Sequence, residues 1–129
     1  MKIPKILIIE DNLINLKLCQ AYLNSYQIEF LTARNGSEGL ELARNNSDID
    51  LILMNYMMPV MDGMESTFEI RKFNKTVPII MMSAAIVSAG DLLNKSIEVG
   101  CDDYLSIPFR LTIFVQKIQE YLGYDLIKK

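Results

Sequence analysis

The stretch DLILMNYMMPVMDG, Asp50 to Gly63, reads as a short apolar strand over Leu51 to Met54 that delivers one polar side chain, Asn55, onto a loop closed by Asp62-Gly63. An apolar run without alternation must be covered on both faces, the condition of a parallel sheet flanked by helices. In such folds ligands and chemistry gather beyond the carboxyl ends of the strands, and Asn55 occupies that place. The residue there is an amide, not a carboxylate.

Working outward, the same pattern recurs. Ile6 to Ile9 is another run apolar on both sides, with Glu10 and Asp11 at its C-terminal end. Asn12 is a good N-cap for a helix through about Tyr26, with Ile14, Leu18, Cys19, Tyr22 and Leu23 at helical spacing. A strand over Ile28 to Thr32 follows, then a helix after Gly36-Ser37 that turns Leu40, Leu42 and Ala43 inward and stops at Asn45-Asn46-Ser47. Beyond Gly63 the pattern predicts a short helix over about Met64 to Phe73. Next comes a strand over Val77 to Met82, with Pro78 near its start where a missing N–H is tolerable.

A helix over Ala89 to Val99 places Leu93 and Ile97 four apart on its apolar face, and Gly100 supplies a left-handed cap. Cys101 to Leu105 leads into a fifth strand. Pro108 then opens a last helix striped by Leu111, Phe114, Val115, Ile118 and Leu122. Leu92 and Ile113 fall off the apolar faces of their helices and are expected at the surface. Five strands alternating with five helices, without repeats or low-complexity linkers, predict an α/β fold with a doubly wound five-stranded parallel sheet.

At 129 residues the chain fits one domain, 1–129, long enough to bury a sizeable core. Half of it is hydrophobic, 22% is charged and the net charge is −3. Lys and Arg are scattered, so no basic stripe is available for nucleic acid or anionic lipid. The apolar runs fall far short of the roughly 20 residues that span a bilayer, and Lys2 and Lys5 precede only a strand-length run, unlike a signal peptide. The chain reads as cytoplasmic. Cys19 and Cys101 form no C-x-x-C pair and the sequence has no His, which leaves redox motifs, transition-metal sites and His-based catalysis poorly supplied.

The loops after the first, third, fourth and fifth strands carry Glu10-Asp11, Asn55, Ser83 and Ile107. With these residues placed, the chain resembles the receiver domains of two-component response regulators over essentially its whole length. The matching pieces are ILIIEDN (Ile6 to Asn12), DLILMNYMMPVMDG (Asp50 to Gly63), MSAA (Met82 to Ala85) and GCDDYLSIPF (Gly100 to Phe109), in order and at matching spacing. The resemblance implies a flavodoxin-like (βα)5 fold with strand order 2-1-3-4-5, and a phosphorelay signalling module that is not an enzyme. It implies that Glu10 and Asp11 are the acidic pair that holds Mg²⁺, together with the side chain at position 55 and the backbone carbonyl of Met57. Asn55 stands where an aspartate attacks a phosphoryl group from a partner histidine. Ser83 matches the hydroxyl residue that hydrogen-bonds the phosphoryl oxygen, Tyr104 the aromatic switch, and Ile107 stands where lysine pairs with the phosphoryl group. The implied partners are a histidine kinase, a phosphotransfer protein or a downstream effector, met through the fourth and fifth helices, with no nucleic acid and no membrane.

Both departures fall on the chemistry. Asn has no anionic oxygen and its amide lone pair is delocalised, so it forms no acyl phosphate. Ile107 offers no donor where lysine would make a charge-assisted bond. With reference ionisation states, a site of Glu, two Asp and one Lys carries about −2, and Glu10 with Asp11 alone also carries about −2. The sequence therefore reads as a degenerate receiver that acts by protein contact without phosphorylation. A neutral Asn55 in place of a charged ligand is expected to weaken Mg²⁺, since a unit-charge pair at about 4 Å is worth about 4 kcal/mol at a dielectric of about 20.

Two other readings stand beside it. One is an ordinary phosphoacceptor receiver carrying a single Asp→Asn exchange. The other is a metal-dependent phosphatase, which wants D-x-D after the first strand; Asp48-Ile49-Asp50 has that spelling but precedes a strand. Blander roles also fit: Ser83 as a strand-end hydroxyl, Tyr104 as a half-buried aromatic, and the methionines from Met54 to Met64 as core and loop packing.

Overall fold

Apolar runs and well-placed helix caps divide the chain into ten alternating elements: β1 (Lys5–Ile9), α1 (Leu13–Leu23), β2 (Glu29–Ala33), α2 (Gly36–Asn45), β3 (Leu51–Asn55), α3 (Gly63–Ile70), β4 (Ile79–Ser83), α4 (Ala89–Val99), β5 (Asp103–Ser106) and α5 (Leu111–Leu122). The computed structural model describes residues 2–84 and 89–129, so Ala85, the end of the MSAA motif, lies outside the described residues. The strands form one parallel sheet in the order β2-β1-β3-β4-β5, as the sequence predicts. β3 is buried throughout because it is paired on both edges and covered on both faces.

Successive side chains of a strand point to opposite faces, and the core divides accordingly. Ile6, Ile8, Leu51 and Leu53 pack with Leu16, Cys19 and Leu23 of α1 and with Phe114, Val115 and Ile118 of α5. Leu7, Ile9, Ile52 and Met54 pack with Ala43 of α2 and Ile70 of α3 on the other face. Asn12, Asn35 and Asp62 each cap a helix through a side-chain oxygen that accepts the N–H three residues on, at 3.1, 2.8 and 2.9 Å.

Several helix faces differ from the expected ones. Ile14 is 78% exposed, and α1 instead buries Leu16, Cys19 and Leu23, because its first turn stands beside the cleft described below and not over the sheet. In α4 the expected pair is displaced by one position: Leu92 and Ser96 are buried and Ile97 is exposed. Leu92 reaches the cleft wall, and Ser96 satisfies its hydroxyl by donating to the Leu93 carbonyl at 2.8 Å. Leu111, in the first turn of α5, is exposed, as is Ile113, the latter as expected. α3 ends at Ile70, where Asn74 N–H bonds the Ile70 carbonyl, and Phe73 is left at the surface under the Arg44 guanidinium.

The loop after β3 contains Val60 at φ 71°, 83% exposed, with Met61 N–H donating to the Pro59 carbonyl at 2.8 Å. This is a γ-turn whose central residue is β-branched in the left-handed region, a costly conformation with no burial to offset it. Val60→Gly should therefore raise stability by about 0.5–1 kcal/mol, the relief of backbone strain exceeding the entropy glycine adds to the unfolded chain. A urea midpoint that falls would contradict this.

Candidate functional site

β3 delivers Asn55 to the carboxyl edge of the sheet in register with Met82, the residue before Ser83 at the end of β4. Ser83 is in turn paired with Ser106 at the end of β5, and its carbonyl accepts the Ile107 N–H at 2.9 Å. The loop after β3 returns immediately: Gly63 N–H bonds the Tyr56 carbonyl at 2.8 Å. A Cβ at Gly63 would collide with the Asn55 carbonyl, so only glycine lets α3 begin this close to the strand end. The segment carrying Ile107 is anchored below by aromatic packing, with Phe109 stacked on Phe114 at 4.5 Å and Tyr22 edge-on to both.

Glu10, Asp11, Asn55 and Met57 come together as expected. The Asn55 amide nitrogen donates to Glu10 Oε2 at 2.6 Å, to Asp11 Oδ1 at 3.0 Å and to the Met57 carbonyl at 3.3 Å. Glu10 Oε2 also accepts the Asn12 N–H at 3.2 Å. Glu10 is fully buried, and its Oε1 is the buried side-chain atom without a partner among the described residues. Three oxygens from two carboxylates and a carbonyl are chemically suited to a hard cation. The group turned into their midst, however, is an N–H donor, so the residues as arranged do not fit the ion.

Asp11, Asn55, Met57, Ser83 and Ile107 line one open cleft of about 890 Å³. Tyr104 lies behind it, half-buried, its hydroxyl donating to the Ser83 carbonyl at 3.3 Å. Sequence reasoning missed Asn12, Asn15, Asp91, Leu92 and Lys95 as cleft residues. The three-residue spacing of Asn12 and Asn15 and the four-residue spacing of Asp91 and Lys95 are helical spacings that could have flagged them as neighbours. Asp48 and Asp50 sit at the opposite end of the sheet in ion pairs with Lys5 at 2.6 Å and Lys2 at 2.5 Å, which removes them from any role here. Both cysteines are buried, with thiols pushed up to about 12 (Cys19) and about 11 (Cys101) first by burial, so neither supplies a thiolate.

Burial, partly opposed by the Asn12 N–H and reinforced by hydrogen bonding and charge repulsion from Asp11, pushes Glu10 up to about 7. A carboxyl group raised in the folded state contributes stability below its unfolded value, and that contribution is lost as pH rises through about 7. The protein should accordingly lose thermal stability between pH 5 and 8. Glu10→Gln, whose amide can donate towards Asp11, should flatten this dependence and gain on the order of 1–3 kcal/mol at pH 8 with little change at pH 5. Thermal melts of both proteins at the two pH values check it, and a wild type more stable at pH 8 than at pH 5 would contradict it.

Comparison with known proteins identifies the family. The model of the response regulator receiver domain matches residues 6–119. The polar-differentiation response regulator DivK of Brucella anthropi is 32% identical over 93% of this chain and 98% of its own length. Hybrid signal transduction histidine kinase G of Dictyostelium discoideum is 38% identical over 91% of this chain, which spans 4% of that relative. Response regulator SSK1 of Arthrobotrys oligospora is likewise matched over only 14% of its length. Among solved structures, the receiver domain of sensor histidine kinase PA1611 from Pseudomonas aeruginosa, with magnesium coordinated in its active-site cleft, superposes with TM-score 0.84 at 29% identity, covering 95% of this chain and 99% of that one. The receiver domain of Saccharomyces cerevisiae Ssk1, in complex with the phosphotransfer protein Ypd1, does so with TM-score 0.85 at 28% identity over 94% and 90%. Family match, strand order and the residues gathered at the sheet edge agree: this chain belongs to the response regulator receiver domain family.

Proposed function

We propose that the whole chain, residues 1–129, is a receiver-type signalling module whose output is protein contact and whose state is not set by phosphorylation. The observation that carries this reading is the Asn55 amide at the end of β3, hydrogen-bonded to Glu10 and Asp11 in the place where a nucleophilic carboxylate is needed. Ile107 supports it, since it lines the cleft without the charge that would hold a phosphoryl group. Any Mg²⁺ binding is weakened, because the ion would have to displace a neutral amide that presents its nitrogen to the oxygens. Tyr104 is already bonded to the Ser83 carbonyl, a contact that requires no phosphoryl group.

The partners are proteins of the same signalling class, a histidine kinase, a phosphotransfer protein or a downstream effector, as the Ypd1 complex of a 28% identical receiver suggests. The contact surface is the fourth and fifth helices, where Ile97, Leu111 and Ile113 expose apolar side chains. Among the described residues no helix is long and apolar enough to cross a membrane, and we place the module in the cytoplasm with its signalling partners.

A second reading is favoured by how complete the surroundings are: Glu10, Asp11, the Met57 carbonyl and Ser83 all stand in place, so a carboxylate at position 55 would find every partner but lysine. In that reading the chain is an ordinary phosphoacceptor receiver with one residue exchanged. Incubation with acetyl phosphate and Mg²⁺ separates the two. Wild type should take up no label, Asn55→Asp should label at least roughly tenfold less than Asn55→Asp with Ile107→Lys, and only the double variant should label well. Strong labelling of Asn55→Asp alone favours the second reading, and labelling of wild type overturns the first.

A further inference from the structure

Three oxygens converge on the Asn55 amide nitrogen from separate stretches of chain: Glu10 at the end of β1, Asp11 one residue beyond it, and Met57 in the loop after β3. We propose that this amide group is a built-in substitute for a divalent cation, occupying the centre of the oxygen cage and tying the β1–α1 and β3–α3 loops together without a metal. The inference rests on reading the cleft as a receiver-type acidic site and concerns what holds that site closed.

The orientation of the amide follows from its neighbours. Turned over, its carbonyl oxygen would face the Glu10 carboxylate at the 2.6 Å now occupied by the nitrogen, and would face Asp11 and the Met57 carbonyl as well. With Glu10 ionised, acceptor against three acceptors is repulsive, whereas an NH₂ group offers two hydrogens to the same three oxygens. Asn55 is 8% exposed and its backbone is fixed in the sheet, with Tyr56 N–H bonded to the Met82 carbonyl at 2.9 Å, so the side chain cannot simply drift from the cage. Mg²⁺ demands oxygens at about 2.0–2.1 Å around an octahedron. A nitrogen 2.6 to 3.3 Å from all three oxygens leaves no room for that ion, which can bind only once the amide has left the cage or turned its oxygen to the metal.

The consequence is a site insensitive to the metal. Thermal melts should show wild type gaining less than about 1 °C from roughly 10 mM Mg²⁺. Asn55→Asp, with three carboxylates facing one another, should melt below wild type in chelator and gain several degrees in Mg²⁺. A wild type that gains as much as Asn55→Asp overturns the proposal. Should the variant fail to fold in either condition, the wild type alone decides by NMR. The Asn55 side-chain amide protons should be separately resolved, slow to exchange and unmoved by Mg²⁺; rapid exchange, or displacement by millimolar Mg²⁺, overturns it. A wild type that binds Mg²⁺ readily and still takes no label from acetyl phosphate sinks the substitution of metal by amide and leaves the phosphorylation-independent reading standing. Labelled wild type sinks that reading instead.

Discussion

Two acidic side chains at the end of β1, one of them wholly buried, must have their charge answered locally, and the arrangement at the sheet edge follows from that need. A carboxylate removed from water costs several kcal/mol unless donors replace the lost hydration, so a buried Glu10 requires partners that are held in place. One is the backbone N–H of Asn12, the residue whose side-chain oxygen caps α1. The other is the Asn55 side chain, and its position is fixed because β3 is paired to β1 on one edge and to β4 on the other. Strand register thus acts as the positioning device: Ile9 opposite Met54 brings Glu10 beside Asn55.

A second support of the site runs through backbone and apolar contacts alone. The Ser83 carbonyl receives both the Ile107 N–H and the Tyr104 hydroxyl, tying β4, β5 and the connection to α5 at one oxygen. Phe109, Phe114 and Tyr22 then clamp that connection from below. None of these contacts needs a charge at position 107. Scaffold and chemistry are separable in this fold, and the chain keeps the scaffold whatever its residues at 55 and 107 do to the chemistry.

The fold was legible because the strands are continuous apolar runs, and because Asn12 and Gly100 do what their residue types do best: one caps, the other adopts φ 117°. The helix faces were less legible. Periodicity identifies a stripe but not its neighbours, so it assigns Ile14 and Leu111, both in first turns, to a core that does not reach them. Leu92 and Ile97 exchanged places because a serine four residues after Leu92 could be buried at no loss once its hydroxyl found the Leu93 carbonyl. That the residues of the site gather at the sheet edge is legible from their place at strand ends. Their relations are not: a 2.6 Å bond between residues 10 and 55, and the direction in which an amide faces, depend on strand register and not on composition.

The same distinction alters the electrostatic argument. Formal charges make the pair at Glu10 and Asp11 equal to a site of three carboxylates and a lysine, both about −2. With Glu10 pushed up to about 7, the pair near neutral pH carries less than that, and Asn55 contributes a donor where the formal sum records nothing. An aspartate at position 55 would bring a third carboxylate against Glu10 and Asp11, with Lys95 on the cleft wall as the cation among the described lining residues and no lysine at 107. On the phosphorylation-independent reading proposed above, Asn55 and Ile107 are coupled. Without lysine at 107 a third carboxylate would have only Lys95 on the cleft wall as a counter-charge among the described lining residues, whereas the amide adds no charge to be answered. The two replacements are better understood as one change in how the site is neutralised than as two independent losses.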